Sequence, residues 1–214
     1  MNFFGHAAVA GQFRAEPSFV LGAMLPDFCG MLGLRVPEAT KSTLGEGIAF
    51  HHLTDHAFHE LEAFRAFVRE GTAALDARRV RRGTARAVAH VGVELFLDAE
   101  LAEDETARAR YFEALRAGRE ADGWANELFT FTETERLSSL FRTLEERGVA
   151  KQPDTAAVML RLTRALASRP RLAIEPPDEA AVSEWVELFR GRVVASTPHI
   201  VSALTSAIER RLAA

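Results

Sequence analysis

Apolar residues recur at helical spacing along almost all of the 214-residue chain, and strand-like alternation never lasts beyond a few positions. Valine and isoleucine are thinly spread and Tyr111 is the single tyrosine, so residues that favour strands are scarce. These observations predict an all-α fold, an irregular single-domain bundle of about eight to ten helices.

Glycine, proline and capping residues mark out the elements. A short helix is expected in the first dozen residues. Pro17 opens a second one through Phe19, Val20 and Met24, which should stop before Pro26 because proline disfavours helix in its predecessor. Asp27 to Lys41, with Gly30, Gly33 and Pro37, reads as a loop. Ser42 then offers an N-cap with Glu46 just inside the first turn. A long helix carrying Ile48, Leu53, Phe58, Leu61, Phe64 and Phe67 should follow to about Glu70, with Gly71 as its stop. Further helices are expected at about 73–82, 84–102, 104–118 and 122–147, the last closed by Gly148. Pro153-Asp154 starts another to about Ser168, and Arg169 to Pro177, with three prolines, reads as a linker. Two helices complete the chain, from Asp178 to about Ala195 and from Pro198 onward.

Composition excludes several classes of function. Thirty acidic residues against 26 lysines and arginines give a formal charge of −4, which argues against a nucleic-acid binder working through bulk electrostatics. Apolar stretches such as Val20 to Leu25 fall far short of the ~20 residues of a membrane span. The first cation is Arg14, so no basic segment precedes an apolar core, and the expectation is a cytoplasmic, unprocessed protein. The one cysteine, Cys29, excludes an internal disulfide and a Cys-type zinc knuckle. Any metal must therefore use histidine and carboxylate. The densest charge run, Arg78, Arg79, Arg81, Arg82 and Arg86, reads as a solvated corner between helices, although guanidinium groups in such a run also suit an acidic carrier protein or a phosphate.

The histidines carry the chemistry. Six of the seven (His6, His51, His52, His56, His59 and His90) lie in the first 90 residues. On a helix turning about 100° per residue, His51, Asp55 and His59 fall at about 0°, 40° and 80°, one stripe of imidazole, carboxylate and imidazole. Residues four apart have Cβ atoms about 5–6 Å apart, near enough for two side chains to share one ion. His90, Glu94 and Asp98 repeat the spacing on a segment that is otherwise apolar, where polar groups are expensive to bury unless paired or metal-bound. His6 and Asp27 are further donors. Histidine with carboxylate suits Zn²⁺, Mn²⁺ or Fe²⁺ better than Ca²⁺, and the usual use of a His/Asp-rich site with more than one such ion is phosphodiester hydrolysis.

Several segments carry a resemblance. Met1-Asn2-Phe3-Phe4-Gly5-His6-Ala7, then Leu21-Gly22-Ala23-Met24-Leu25-Pro26-Asp27-Phe28, then Gly47-Ile48 leading into His51 and Asp55, and late in the chain Ser168-Arg169-Pro170-Arg171-Leu172, resemble in order the acyl carrier protein phosphodiesterase family. That family is similar to HD-domain metal phosphohydrolases in being all-α. The resemblance implies a divalent-metal enzyme that removes 4′-phosphopantetheine from holo-acyl carrier protein, often with Mn²⁺. Where the family has an Asp-His pair on the later helix, this chain has Glu94-Leu95, and where it has His-Arg, this chain has His51-His52. The spacing Gly47-x3-His51-x3-Asp55-x3-His59, preceded by Leu25-Pro26-Asp27 and followed by His90-x3-Glu94, also resembles the zinc-dependent phospholipase C family. Carried over by position, that second resemblance implies His6, Asp27, His51, Asp55, His59, His90 and Glu94 as metal ligands.

The sequence thus leads to a single all-α metal-hydrolase-like domain over 1–214, with its metal-site part in 1–120 and packing helices in 121–214. Its expected activity is phosphoric diester hydrolysis with Zn, Mn or Fe, with Asp27 and Asp55 as catalytic carboxylates. The expected partner is acyl carrier protein or a small phosphodiester, without nucleic acid. The alternatives are a phospholipase C-like hydrolase of another diester and a metal-binding helical protein without activity.

Overall fold

The computed structural model describes residues 1–120, 128–149 and 151–213. Among the described residues the fold is all-α, with nine helices and no strand: α1 (Phe3–Phe13), α2 (Pro17–Leu32), α3 (Thr43–Glu60), α4 (Glu62–Ala77), α5 (Arg82–Leu101), α6 (Glu105–Glu120), α7 (Phe131–Arg147), α8 (Thr155–Leu166) and α9 (Pro176–Leu212). None of them is long and apolar enough to cross a membrane. The chain divides into two compact units, one of Met1–His56 with Leu101–Ala150 and one of Ala57–Glu100 with Lys151–Ala214.

The first unit is built on α2. Its sequence is apolar on nearly every side, so α1, α6 and α7 pack around it over a core that includes Phe4, Leu21, Met24, Leu25, Phe28, Ile48, Tyr111, Leu115 and Phe141. Contrary to the sequence expectation, α2 does not stop before Pro26. It continues to Leu32 and ends on Gly33 in the left-handed conformation, with φ 64°. A proline inside a helix costs ~3 kcal/mol. Here Leu25, Pro26 and Phe28 are all buried, and the packing of that turn outweighs the local penalty. Asp27 therefore sits on a helix rather than in a loop.

The next helix, α3, is shorter than its spacing predicts. Ser42 caps it as expected, its Oγ accepting from the Gly45 N–H at 3.1 Å, but the helix ends at Glu60. Leu61 turns extended (φ −59°, ψ 126°), α4 begins at Glu62, and Gly71 lies inside α4 rather than at its end. No glycine or proline marks this break. It is stabilised by aromatic packing, because Phe64 then lies with its ring 4.3 Å from that of Phe58. Gly71 is small for packing reasons: a Cβ there would lie 3.1 Å from both Ala89 and the Trp185 ring.

Further along, the helix expected from residue 122 is formed from Phe131, where Thr130 and Glu133 make a reciprocal capping box. Residues 121–127, with Trp124, lie outside the described residues. Asp154 caps α8 as expected, accepting from the Ala157 N–H at 2.7 Å. The two final helices are one, α9, which runs through Pro198. Next to that proline the buried Thr197 donates its hydroxyl to the Val193 carbonyl at 3.1 Å, and Val193, Ile200 and Leu204 are buried on either side. In the second unit α9 packs on α4 and α8 around Trp185, Val182, Val186 and Leu162.

Candidate metal centres

Among the described residues each unit holds one cluster of three donors: His6, Asp27 and His51 in the first, and His59, His90 and Glu94 in the second. In both, the donor atoms lie within 4.8 Å of one another.

In the first unit the close approach of α2 and α3 sets the geometry. A Cβ on Gly47 would lie 2.2 Å from the Phe19 carbonyl oxygen and one on Gly22 2.1 Å from that of Leu44, so only glycine at both positions lets these backbones meet. One turn beyond Gly47, the His51 ring consequently reaches across to α2, and its Nδ1–H donates to the Ala23 carbonyl at 2.9 Å. This bond fixes the tautomer and leaves the Nε2 lone pair to face a ligand. Burial pushes the His51 pKa down to about 4, so the ring is neutral at pH 7. The His6 and His51 rings lie 4.0 Å apart between centroids, both buried, and Asp27 completes the group.

Asp55 is not a member of that group. Its carboxylate is 41% exposed and lies 3.8 Å from His6 Nε2 and 3.8 Å from the Met1 amine. Nor is Asp98 placed in either cluster, although it is buried.

In the second unit the break at Leu61 turns the chain immediately after His59. Phe64 packs edge-on against His59 and His90, with centroids at 5.3 and 5.2 Å, and the two imidazoles stack at 5.1 Å. His59 Nε2 and His90 Nε2 are 3.3 Å apart. Glu94 Oε1 lies 3.4 Å from the former and 3.2 Å from the latter. Burial works to raise the Glu94 pKa, yet positive charge in its surroundings, followed by the hydrogen bonds of the His59 and His90 imidazoles, holds its carboxyl well below the usual range, so it is ionised.

These three distances describe a nearly equilateral triangle. Ligand atoms roughly 2.0–2.1 Å from a tetrahedral ion are about 3.3 Å apart, whereas charge-assisted N–H···O bonds close to about 2.7–2.9 Å. The cluster therefore has the spacing of one face of a metal tetrahedron and is looser than a simple hydrogen-bonded ion pair.

Comparison with protein-family models, with curated proteins and with solved structures finds no match.

Two contributors escape sequence reasoning. The Ala23 carbonyl that orients His51 is a backbone group and leaves no trace in residue type. Phe64 is legible only as an apolar helix position, and without the break at Leu61 nothing turns it toward the histidines. Phe58 is fully buried, while Phe50 packs on Phe13 and Phe19, with centroids at 5.2 Å, and both belong to the core.

Proposed function

We propose that the protein is a divalent-metal-dependent phosphodiesterase whose first candidate substrate is holo-acyl carrier protein, from which it would release 4′-phosphopantetheine. The single observation that carries this reading is the triangle of His59 Nε2, His90 Nε2 and Glu94 Oε1, with edges of 3.2 to 3.4 Å, a donor set suited to zinc, manganese or iron. The resemblance to metal phosphodiesterases supports it from a second side, because it implies ligand roles for these same residues.

His59, His90 and Glu94 would hold one ion, and His6, Asp27 and His51 another. A divalent ion so held supplies Lewis acidity, polarising a phosphoryl oxygen and lowering the pKa of a bound water toward ~7. The chain's own groups position and move protons. His51 is kept in one tautomer by the Ala23 carbonyl, and Asp27 is assigned as an anionic ligand beside it. Asp55, whose carboxylate is 41% exposed and lies near His6, is assigned as the carboxylate that accepts a proton from an entering water.

The test combines metal content by mass spectrometry on protein purified without chelator, turnover of bis-p-nitrophenyl phosphate, and release of 4′-phosphopantetheine from holo-acyl carrier protein. We expect Glu94→Gln and Asp27→Asn each to lose one bound equivalent, and Asp55→Ala to abolish turnover while the circular dichroism stays helical. Protein that takes up neither Zn²⁺ nor Mn²⁺ overturns the reading. Metal binding without turnover of any diester leaves a non-catalytic metal-binding protein. Turnover of the small diester alone points to another phosphodiester, as in the zinc-dependent phospholipase C family.

A further inference from the structure

The Arg78 to Arg86 run divides in two once its partners are known. Arg78 is engaged with Glu184 at 3.0 Å, and Arg81 with Glu175 at 2.9 Å, with Asp178 and with the Ala173 carbonyl. Arg79, Arg82 and Arg86 are exposed and make no ion pair among the described residues. The contacts of Arg81 tie this corner to the segment after α8. Thr84 adds a bond to the Ala173 carbonyl at 3.3 Å, and a Cβ on Gly83 would lie 3.3 Å from the Arg171 carbonyl oxygen. Two further exposed arginines without ion pairs, Arg169 and Arg171, are thereby brought beside the start of α5. With Pro170 and Leu172 they line an open depression of about 500 Å³. All of these residues belong to the second unit.

Local physics disfavours this arrangement. A helix N-terminus is its positive end and prefers acids, yet the first turn of α5 has none and begins with Arg82. Arg82 and Arg86 stand four residues apart on one helix, a spacing at which like charges repel. Arg79 adopts φ 66°, a left-handed conformation that glycine takes at little cost and arginine does not. Five uncompensated cations gathered in a chain of net charge −4, at positions that helix electrostatics and backbone preference resist, call for a ligand that supplies the missing negative charge.

We propose that the surface formed by Arg79, Arg82, Arg86, Arg169 and Arg171 docks the acidic face of a partner protein. The cations are spread over two segments of exposed surface rather than gathered in an enclosed pocket, which suits carboxylates spaced along a protein face better than one small anion. The acidity of the chain as a whole opposes a nucleic acid. Pro170 and Leu172, which line the depression together with Arg169 and Arg171, add apolar contact to such an interface. The choice of acyl carrier protein as the leading partner rests on the function proposed above, whereas docking is measured without catalysis.

The experiment titrates fluorescently labelled holo-acyl carrier protein, polyglutamate and a short DNA duplex with the metal-free 214-residue chain, at low and at raised salt. The wild type is expected to bind the carrier protein or polyglutamate with an affinity that falls as salt rises, and the double variant Arg82→Glu, Arg171→Glu to bind at least about tenfold more weakly. Glutamate at position 82 suits a helix N-terminus, so folding is not threatened, and circular dichroism verifies it. Undiminished binding by the double variant overturns the proposal. So does wild-type protein that binds neither acidic probe, or that binds the DNA duplex more tightly than both. Turnover of bis-p-nitrophenyl phosphate by the metal-loaded wild type is scored separately. Its absence with docking intact removes the enzymatic reading alone, and its presence without docking removes this surface alone.

Discussion

His51 is buried with its Nδ1–H on the Ala23 carbonyl, while the adjacent His52 is exposed. A metal role for the first and not the second gives a direct contrast: His51→Ala is expected to lose one bound metal equivalent and His52→Ala to keep it, as read by mass spectrometry of the purified proteins. Cys29 makes a second residue-scale case. Burial pushes its thiol up to about 11 from an ordinary value of 9.0, so at pH 8 its thiolate fraction is about 100-fold below that of an ordinary thiol. Native protein should accordingly resist iodoacetamide at pH 8 and react promptly once unfolded in urea, and rapid native alkylation would contradict the burial described. Of the donors, His6, Asp27, His51, His59, His90 and Glu94 were legible in sequence because imidazole and carboxylate at helical spacing are few and chemically distinctive. Their division into two clusters was not. It follows from how α1 and α2 pack against α3 and from how the chain turns after His59, and neither is a property of residue spacing.

Among the elements, the α2–α3 contact and the start of α7 yield the sharpest expectations. Alanine is a better helix former than glycine by about 1 kcal/mol, so propensity alone predicts that Gly47→Ala stabilises α3. The Cβ would instead meet the Phe19 carbonyl at 2.2 Å, where the obstacle is backbone and cannot swing aside. The net expectation is a destabilisation of about 2–4 kcal/mol, measured as a lower urea midpoint at unchanged slope, with loss of metal as the α2–α3 spacing opens. At α7, Thr130→Ala removes the hydroxyl that accepts from the Glu133 N–H and half of the capping box, for a loss of about 1 kcal/mol in the same measurement. Two of the helix boundaries that differ from expectation share one cause. Pro26 and Pro198 are punctuation only while local conformation decides, and both lie in turns whose neighbours are buried, where side-chain packing outweighs a lost hydrogen bond.

At the scale of the molecule, each unit has its own buried core and its own donor cluster. Metal that binds the folded chain and not the unfolded one raises stability by RT ln(1 + [L]/Kd), about 2.7 kcal/mol at a hundredfold excess over Kd. The apparent Tm is therefore expected to rise by several degrees with added Zn²⁺ or Mn²⁺, to fall back with chelator, and to respond to neither in the Asp27→Asn, Glu94→Gln double variant. A Tm that ignores metal in the wild type would contradict both clusters at once.

Residue type and spacing suffice for the all-α class, most helix starts and the inventory of possible ligands, because helical periodicity, capping residues and residue chemistry are local properties. Packing sets which of two adjacent histidines turns inward, where α3 breaks without a breaker, and which arginines are left uncompensated. Each of these depends on groups far apart in the chain, such as Ala23 with His51, Phe64 with His90 and Arg81 with Glu175, and on whether their packing is worth more than the conformational preference it overrides.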